Sequence, residues 1–287
     1  MPIPSLPPVP PLPQPRGFEP TYPLSRRSLE HLLAIAEHIV GRAEEMFSVG
    51  LGAAPAVMKP GGDFATEVDL AIESYLRRAL LRHTGIDVFG EEAGGNLDAD
   101  LVWVVDPIDG TSNFAAGNSH CAILVSLLER GQPVIALTSM PVQGRRLSAI
   151  SGGGVRLNGK ACQRLPREHK WTHQIGFGSI VSPMDSRFPT TRRHDLLRSL
   201  VDLYPRLRIT GSVGVDLAYV AMGIFGAAVT FSPHVWDNAA GVLLVTEAGG
   251  TVTDLSGNAW HKGSDGVIAG TSQSHGLIVE RVRKQKY

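Results

Sequence analysis

From about residue 25 onward the chain alternates stretches of helical amphipathic spacing with short apolar runs that end on turn residues. A helix buries one stripe and a sheet one or both faces, so this alternation folds only as stacked layers around shared cores. The expected class is α/β or α+β. Ser25 is an N-cap in front of Leu29, Leu32, Leu33, Ala36, Ile39, Val40, Ala43 and Phe47, which lie at helical spacing. Thr66 opens a second helix carrying Val68, Ile72, Tyr75, Leu76, Ala79 and Leu80 on one face, with Glu67 and Asp69 near its positive end. The glycine-rich stretch from Lys59 to Asp63 between them reads as a turn.

Runs at 86–89, 101–105, 122–128, 134–139 and 145–150 read as strands. In the second half, strands are expected near 175–180, 207–210, 227–231, 250–254 and 266–269. Helices are expected near 194–203, 215–222, 236–248 and 274–283. Residues 1–23 hold 10 of the 20 prolines, which forbids helix and predicts an extended arm over 1–24. One domain over 25–287 follows, with portions at about 25–180 and 181–287; 287 residues suffice for one large domain or two joined halves.

Lys plus Arg and Asp plus Glu are both 27, so no overall basic field attracts nucleic acid, and a small-molecule partner is favoured. Cys121 and Cys162 are the only cysteines, too few for a disulfide framework, and a reducing cytoplasm is the expected setting. No apolar run approaches the ~20 residues that span a bilayer, so a soluble chain is expected.

Four segments place acidic or hydroxyl side chains where apolar structure gives way to turns. They are Lys59 to Thr66, Gly90-Glu91-Glu92, Asp106-Pro107-Ile108-Asp109-Gly110-Thr111, and Trp236-Asp237. In the third, Asp106 emerges at the end of the strand 101–105, Pro107 stops the ladder, and Gly110 permits a tight turn. Two carboxylates then meet at one spot, although Asp, Pro and Gly are also ordinary turn residues. Thr111, Ser112 and Asn113 follow at an expected helix N-terminus, whose free N–H groups suit a phosphate. Mg²⁺ takes oxygen ligands, combining one or two carboxylates with water and substrate phosphate. If Glu91, Asp106, Asp109 and Asp237 converge, their four charges repel unless cations compensate them, and two Mg²⁺ ions balance all four.

These segments, with Asn113-Phe114, Asn238-Ala239-Ala240-Gly241 and Thr246-Glu247-Ala248-Gly249-Gly250, resemble the signatures of the inositol monophosphatase family. Lys59, Asp63, Thr66 and Asp69 match as well, so the resemblance runs from about residue 26 to the C-terminus. Gly62 to Asp69 and Pro233 to Asp237 look most like actinobacterial members. The resemblance implies a layered αβαβα sandwich of the sugar-phosphatase type, a homodimer, and two or three Mg²⁺ ions per active site. It places Glu91, Asp106, Thr111 and the Ile108 carbonyl at the first ion and Asp106, Asp109 and Asp237 at the second. A third ion lies close to Glu91. It pairs Asp63 with Thr111 as the dyad that activates water, and gives the Gly110 and Thr111 N–H groups to the phosphate. It puts Gly211, Ser212 and Val213 beside an inositol ring, with Asp109 and Asp237 toward the leaving alcohol. Thr230 stands where animal members carry a ring-binding glutamate, a departure that loosens inositol selectivity.

The implied reaction is Mg²⁺-dependent hydrolysis of myo-inositol monophosphate by in-line attack of metal-activated water, with no covalent intermediate and with sensitivity to Li⁺ near Asp109 and Asp237. Alternatives are a related phosphatase acting on histidinol phosphate, fructose 1,6-bisphosphate or a 3′-phosphoadenosine nucleotide, and an RNA- or transcription-associated regulator. Glu92 reads as a supporting or surface carboxylate and Lys59 as a group orienting acidic neighbours. His120 and His234 read as structural or rim residues, and Trp103, Trp236 and Phe114 as core aromatics. Arg187, Arg192 and Arg193 form either a solvated basic loop or a site for a second anionic group.

Overall fold

The computed structural model describes residues 22–59, 62–167, 174–182 and 186–285, so the proline-rich arm lies almost wholly outside the described residues. Helix α1 (Arg26–Gly50) starts as the sequence predicts, with the Ser25 hydroxyl accepting the Ser28 N–H at 3.1 Å. Helix α2 (Glu67–Thr84) starts at a capping box. The Thr66 hydroxyl accepts the Val68 and Asp69 N–H groups, and the Asp69 carboxylate accepts the Thr66 N–H at 2.8 Å. Between the helices, β1 (Pro55–Met58) and β2 (Phe64–Thr66) form an antiparallel hairpin. Its fully exposed β1 lacks the apolar alternation that announces a strand.

The seven-stranded sheet runs in the order β3 (Val88–Gly90), β4 (Leu101–Asp109), β5 (Ala122–Glu129), β6 (Gln132–Met140), β7 (Arg145–Ile150), β8 (Val155–Leu157), β9 (Lys160–Ala161). Only β3–β4 is parallel. The second sheet has five strands, β10 (Gln174–Phe177), β11 (Arg206–Arg208), β12 (Ala227–Thr230), β13 (Thr251–Thr253) and β14 (Val267–Gly270), in the order β11-β10-β12-β14-β13. The other helices are α3 (Thr111–Ala115), α4 (Thr190–Val201), α5 (Val213–Ala221), α6 (Val235–Glu247) and α7 (Ser272–Lys284). Because β10 already belongs to the second sheet, the passage between sheets falls before residue 174 rather than near 180.

Three cores separate five layers. Leu32, Ile39 and Phe47 of α1 and Ile72 and Leu76 of α2 pack on Trp103, Val105, Ile123, Val125 and Leu137 of the larger sheet. On its other face, Val102, Val104, Leu124 and Ala136 meet Leu217, Ala239, Leu243 and Leu244 of α5 and α6, which also pack on Ala228, Val267 and Ala269 of the smaller sheet. Beyond that sheet, Ile175, Phe177, Val229 and Ile268 are covered by Leu196 and Leu200 of α4 and Ile278 and Val282 of α7. The order α, β, α, β, α explains two sequence patterns. Strands β4 and β5 are apolar on both faces because both are covered, and α6 is apolar nearly all round because a sheet lies on each side. No helix among the described residues is long and apolar enough to cross a membrane.

Candidate active site

Strand β4 does not stop at Pro107 but runs on to Asp109, and the way it does so builds the site. Asp106 pairs with Leu124 and Asp109 with Ala122, so β4 advances three residues while β5 advances two. That extra residue is a bulge. In a regular strand residues three apart face opposite sides; the bulge reverses the parity and brings both carboxylates to one side. Pro107 suits the bulge because it has no N–H to donate to the ladder, and the Ile108 N–H is taken by Asp106 Oδ1 at 3.0 Å. The sequence showed the two aspartates and the turn residues, but a bulge leaves no mark in a hydropathy pattern.

Asp237, in the first turn of α6, completes a group in which carboxylate oxygens of Asp106, Asp109 and Asp237 all lie within 4.8 Å of one another. Asp109 faces the N-terminus of α5. There its carboxylate accepts the Gly214 N–H at 2.6 Å, the Val213 N–H at 3.3 Å and the Ser212 hydroxyl. Glu91 follows β3 beside β4, with its N–H on the Val105 carbonyl at 3.2 Å and its charge felt by Asp106. The Lys59 ammonium bridges Glu91 and Glu92 at 2.7 and 2.6 Å, the orienting role its position suggested.

Thr111 opens α3 directly after Gly110, which holds a left-handed conformation at φ 82°, and a Cβ there would stand 2.9 Å from the His120 carbonyl. The Thr111 hydroxyl lies 3.0 Å from the Ile108 carbonyl and 3.2 Å from Asp69 Oδ1. The carboxylate partner of Thr111 is therefore Asp69, not Asp63. Asp63 is exposed and accepts the N–H of its own neighbour Phe64 at 2.9 Å, whereas the capping box turns the buried Asp69 toward Thr111. The Thr66-x-x-Asp69 spacing is the sequence signal that identifies this carboxylate.

The electrostatics reflect crowding. Burial, and then the charges of Glu91, Asp109 and Asp237, hold the Asp106 carboxyl well above its ordinary range. Desolvation in the cleft and the charge of Asp109 do the same to Asp237. Burial also lifts Asp109, to about 6, against the opposing effect of its hydrogen bonds from Ser212, Gly214 and Val213. Burial raises Glu91, with Lys59 pulling the other way. Burial opposes the charge of Lys59, but its bonds to Glu91 and Glu92 prevail and raise it.

The model of the inositol monophosphatase family matches residues 28–287. The chain belongs to that family. Inositol-1-monophosphatase ImpA of Mycolicibacterium smegmatis is 46% identical over 261 residues, 91% of this chain and 95% of that protein. Nus factor SuhB of Pseudomonas aeruginosa is 34% identical over 234 residues, 78% of this chain and 84% of that one. The solved structure of Thermotoga maritima IMPase superposes with a TM-score of 0.76 at 25% identity, covering 88% of this chain and 96% of that one.

Inositol monophosphatases are metal-dependent phosphatases, and the donor set here fits a hard divalent cation. It offers carboxylate oxygens only, crowded enough that they resist ionising together without a counter-charge. The Ile108 carbonyl keeps a second lone pair beyond the one that faces Thr111.

On the substrate side, the placements of Thr230 and of the arginines depart from expectation. Thr230 is fully buried at the end of β12, its hydroxyl taken by the Val267 N–H at 3.2 Å and by Asn238 at 3.3 Å, so it presents nothing to the cleft. The Ser212 hydroxyl is engaged by Asp109, while Gly211 is exposed and Val213 half-buried beside it. The three arginines have separate partners within the protein. Arg187 reaches Asp265 at 3.3 Å, Arg192 lies over the Phe188 ring, and Arg193 is buried against Phe231, donating to the Ser179, Val181 and Phe188 carbonyls. Trp103 and Phe114 are core residues as expected. Trp236 is half-buried and packs against the core between the sheets, with His234 stacked on its face at 4.4 Å.

Proposed function

We propose that the protein is a Mg²⁺-dependent phosphomonoesterase that hydrolyses myo-inositol monophosphate by direct attack of water. The observation that carries this reading is the bulge-built carboxylate group with the Thr111–Asp69 pair beside it. Asp106, Asp109 and Asp237, with Glu91, the Thr111 hydroxyl and the Ile108 carbonyl, would hold two or three Mg²⁺ ions. When bound, these ions lower the pKa of water and stabilise charge on the transferring phosphoryl group.

The chain's own groups do the rest. The Thr111 hydroxyl donates a hydrogen bond to Asp69, which turns the oxygen lone pairs of Thr111 toward the nucleophilic water. The Gly110 and Thr111 N–H groups, in the first turn of α3 where helical donors have no intrahelical acceptor, hold the nonbridging phosphate oxygens. Gly211, Val213 and the stacked Trp236–His234 pair border the leaving alcohol, and Asp63 belongs to the rim rather than to the proton path.

The test is a phosphate-release assay on myo-inositol 1-phosphate, histidinol phosphate, fructose 1,6-bisphosphate and a 3′-phosphoadenosine nucleotide, each with Mg²⁺ or with chelator. The highest kcat/KM belongs to inositol phosphate, and chelation abolishes turnover. Unchanged turnover after exhaustive chelation defeats the reading. A homodimer in the cytoplasm, inhibited by Li⁺ at Asp109 and Asp237, belongs to the same proposal. The relatives named Nus factor SuhB keep a second reading in view, an RNA- or transcription-associated regulatory protein. Saturable RNA binding without Mg²⁺-dependent turnover would establish it.

A further inference from the structure

Asp69, Glu73 and Arg77 occupy positions i, i+4 and i+8 of α2, one line along a single helix face. The first serves Thr111. The other two serve a different part of the site, the turn that carries Glu91. Glu73 is 2% exposed, and its carboxylate accepts the Glu92 N–H at 2.7 Å and the Ala93 N–H at 2.9 Å. Arg77 donates to Glu73 at 3.1 Å and to the two carbonyls flanking the turn, Val88 at 2.6 Å and Gly94 at 2.7 Å. Gly90 and Gly94 close the turn with a reciprocal pair of backbone bonds, both 3.0 Å. The fit is close, since a Cβ on Gly90 would stand 2.4 Å from Glu73 Cδ.

A carboxylate buried under two converging N–H groups fixes the peptide planes on the C-terminal side of Glu91, while the Val105 carbonyl fixes its own N–H. The backbone of Glu91 is thereby set relative to Asp106 on the neighbouring strand. We infer that Glu73 is a positioning residue for divalent-cation binding, acting through the Glu92 and Ala93 amides to hold Glu91 where it faces the ion. This rests on the proposed function, because it assumes that Glu91 serves a cation.

Glu73→Gln is nearly isosteric but replaces one of the two acceptor oxygens by an NH₂ that faces an N–H donor. Glu247→Gln is the control, because the Glu247 carboxylate likewise accepts two amides, those of Gly152 and Gly154, both at 2.8 Å. It stands ten residues beyond Asp237 on α6, roughly 15 Å along the helix. The full-length, metal-free proteins are titrated with Mg²⁺ by calorimetry, and the Mg²⁺ dependence of phosphate release, the substrate KM at saturating Mg²⁺ and the Tm are measured beside it. Glu73→Gln weakens Mg²⁺ binding about tenfold, the scale of lost support behind a metal ligand. High Mg²⁺ restores kcat with KM unchanged, and Glu247→Gln lowers Tm while leaving Mg²⁺ affinity within about twofold of wild type. Wild-type Mg²⁺ affinity in Glu73→Gln, or equal weakening in both variants, overturns the inference. If Glu73→Gln does not fold, Arg77→Lys, which cannot fork to both flanking carbonyls, is read against the same thresholds. A wild-type protein that binds no Mg²⁺ defeats the proposed function and this inference together. A wild type that binds beside an unaffected variant defeats the inference alone.

Discussion

Asp69→Asn separates the proton path proposed through the Asp69–Thr111 hydrogen bond from the one expected through Asp63. The substitution changes no volume, yet it has only one workable orientation. The Thr66 N–H can only donate, and it lies 2.8 Å from Asp69 Oδ2, so the amide oxygen of Asn must stay there. The NH₂ then faces the Thr111 hydroxyl, 3.2 Å away in the wild type, and turns an acceptor into a donor. The Thr111 proton is driven onto the Ile108 carbonyl or toward the water it should activate. A hydrogen bond to a charged group is worth about 1.5–3 kcal/mol. At about 1.4 kcal/mol per tenfold, kcat falls roughly 10- to 150-fold. Mg²⁺ affinity stays close to wild type because Asp69 stands outside the three-carboxylate group. Thr111→Ala shows a similar loss, and the double variant loses less than the sum, since both act on one proton. Asp63→Asn alters only an exposed carboxylate bonded to its neighbour's amide, and kcat changes less than about threefold. Steady-state kinetics at saturating Mg²⁺ and substrate decide the matter. A kcat for Asp69→Asn within threefold of wild type, or an Asp63→Asn defect as large, refutes the reasoning.

Stability should depend on pH in a direction set by the carboxylate group. Asp109 titrates at about 6 in the fold against an ordinary 3.8, so between those values the folded protein binds more protons than the unfolded chain, and stability falls as pH rises. The shift of about two units corresponds to on the order of 3 kcal/mol, lost between about pH 4 and about pH 6; metal-free Tm is therefore lower at about pH 7 than at about pH 4, and Mg²⁺ raises it more at the higher pH. A metal-free Tm that climbs over this range contradicts the assignment. Thr230→Glu, which introduces the ring-binding residue type the resemblance led one to expect there, places an unpaired carboxylate in a fully buried site and costs several kcal/mol rather than creating a ring contact. Thermal denaturation checks it, and an unchanged Tm with improved inositol phosphate turnover shows that the site opens.

The layered fold was legible because its cores are periodic. The caps at Ser25 and Thr66, the doubly covered β5 and the all-round apolar α6 each follow from spacing and flanking residues. Helix α4 begins earlier than expected, at Thr190 directly after Pro189, because the polar Thr190 and Thr191 give no apolar period to read. The acidic residues that gather at the site were legible too, since the segments carrying them end apolar runs. What escaped was information carried by backbone geometry. The bulge at Asp106 to Asp109 reverses side-chain parity, and the capping box decides which of two nearby aspartates faces Thr111. The fates of Thr230 and Arg193 depend on which strand end and which loop carbonyls surround them, and sequence distance does not encode that.

The placement of the carboxylates also explains how a fold can gather them before any ion arrives. Helices α5 and α6 both direct their N-termini at the end of β4. Asp109 sits on the first amides of α5, and Asp237 lies in the first turn of α6. Each helix end carries about half a positive charge, which offsets part of the repulsion between the acids. Lys59 offsets another part at Glu91. The offset is incomplete, because Asp106 and Asp237 still hold their protons well above the ordinary range. A fully neutralised site would gain nothing from a cation, and a wholly uncompensated one would strain the fold. Two helix ends and one lysine therefore let the acids stand together with part of their mutual repulsion left uncompensated.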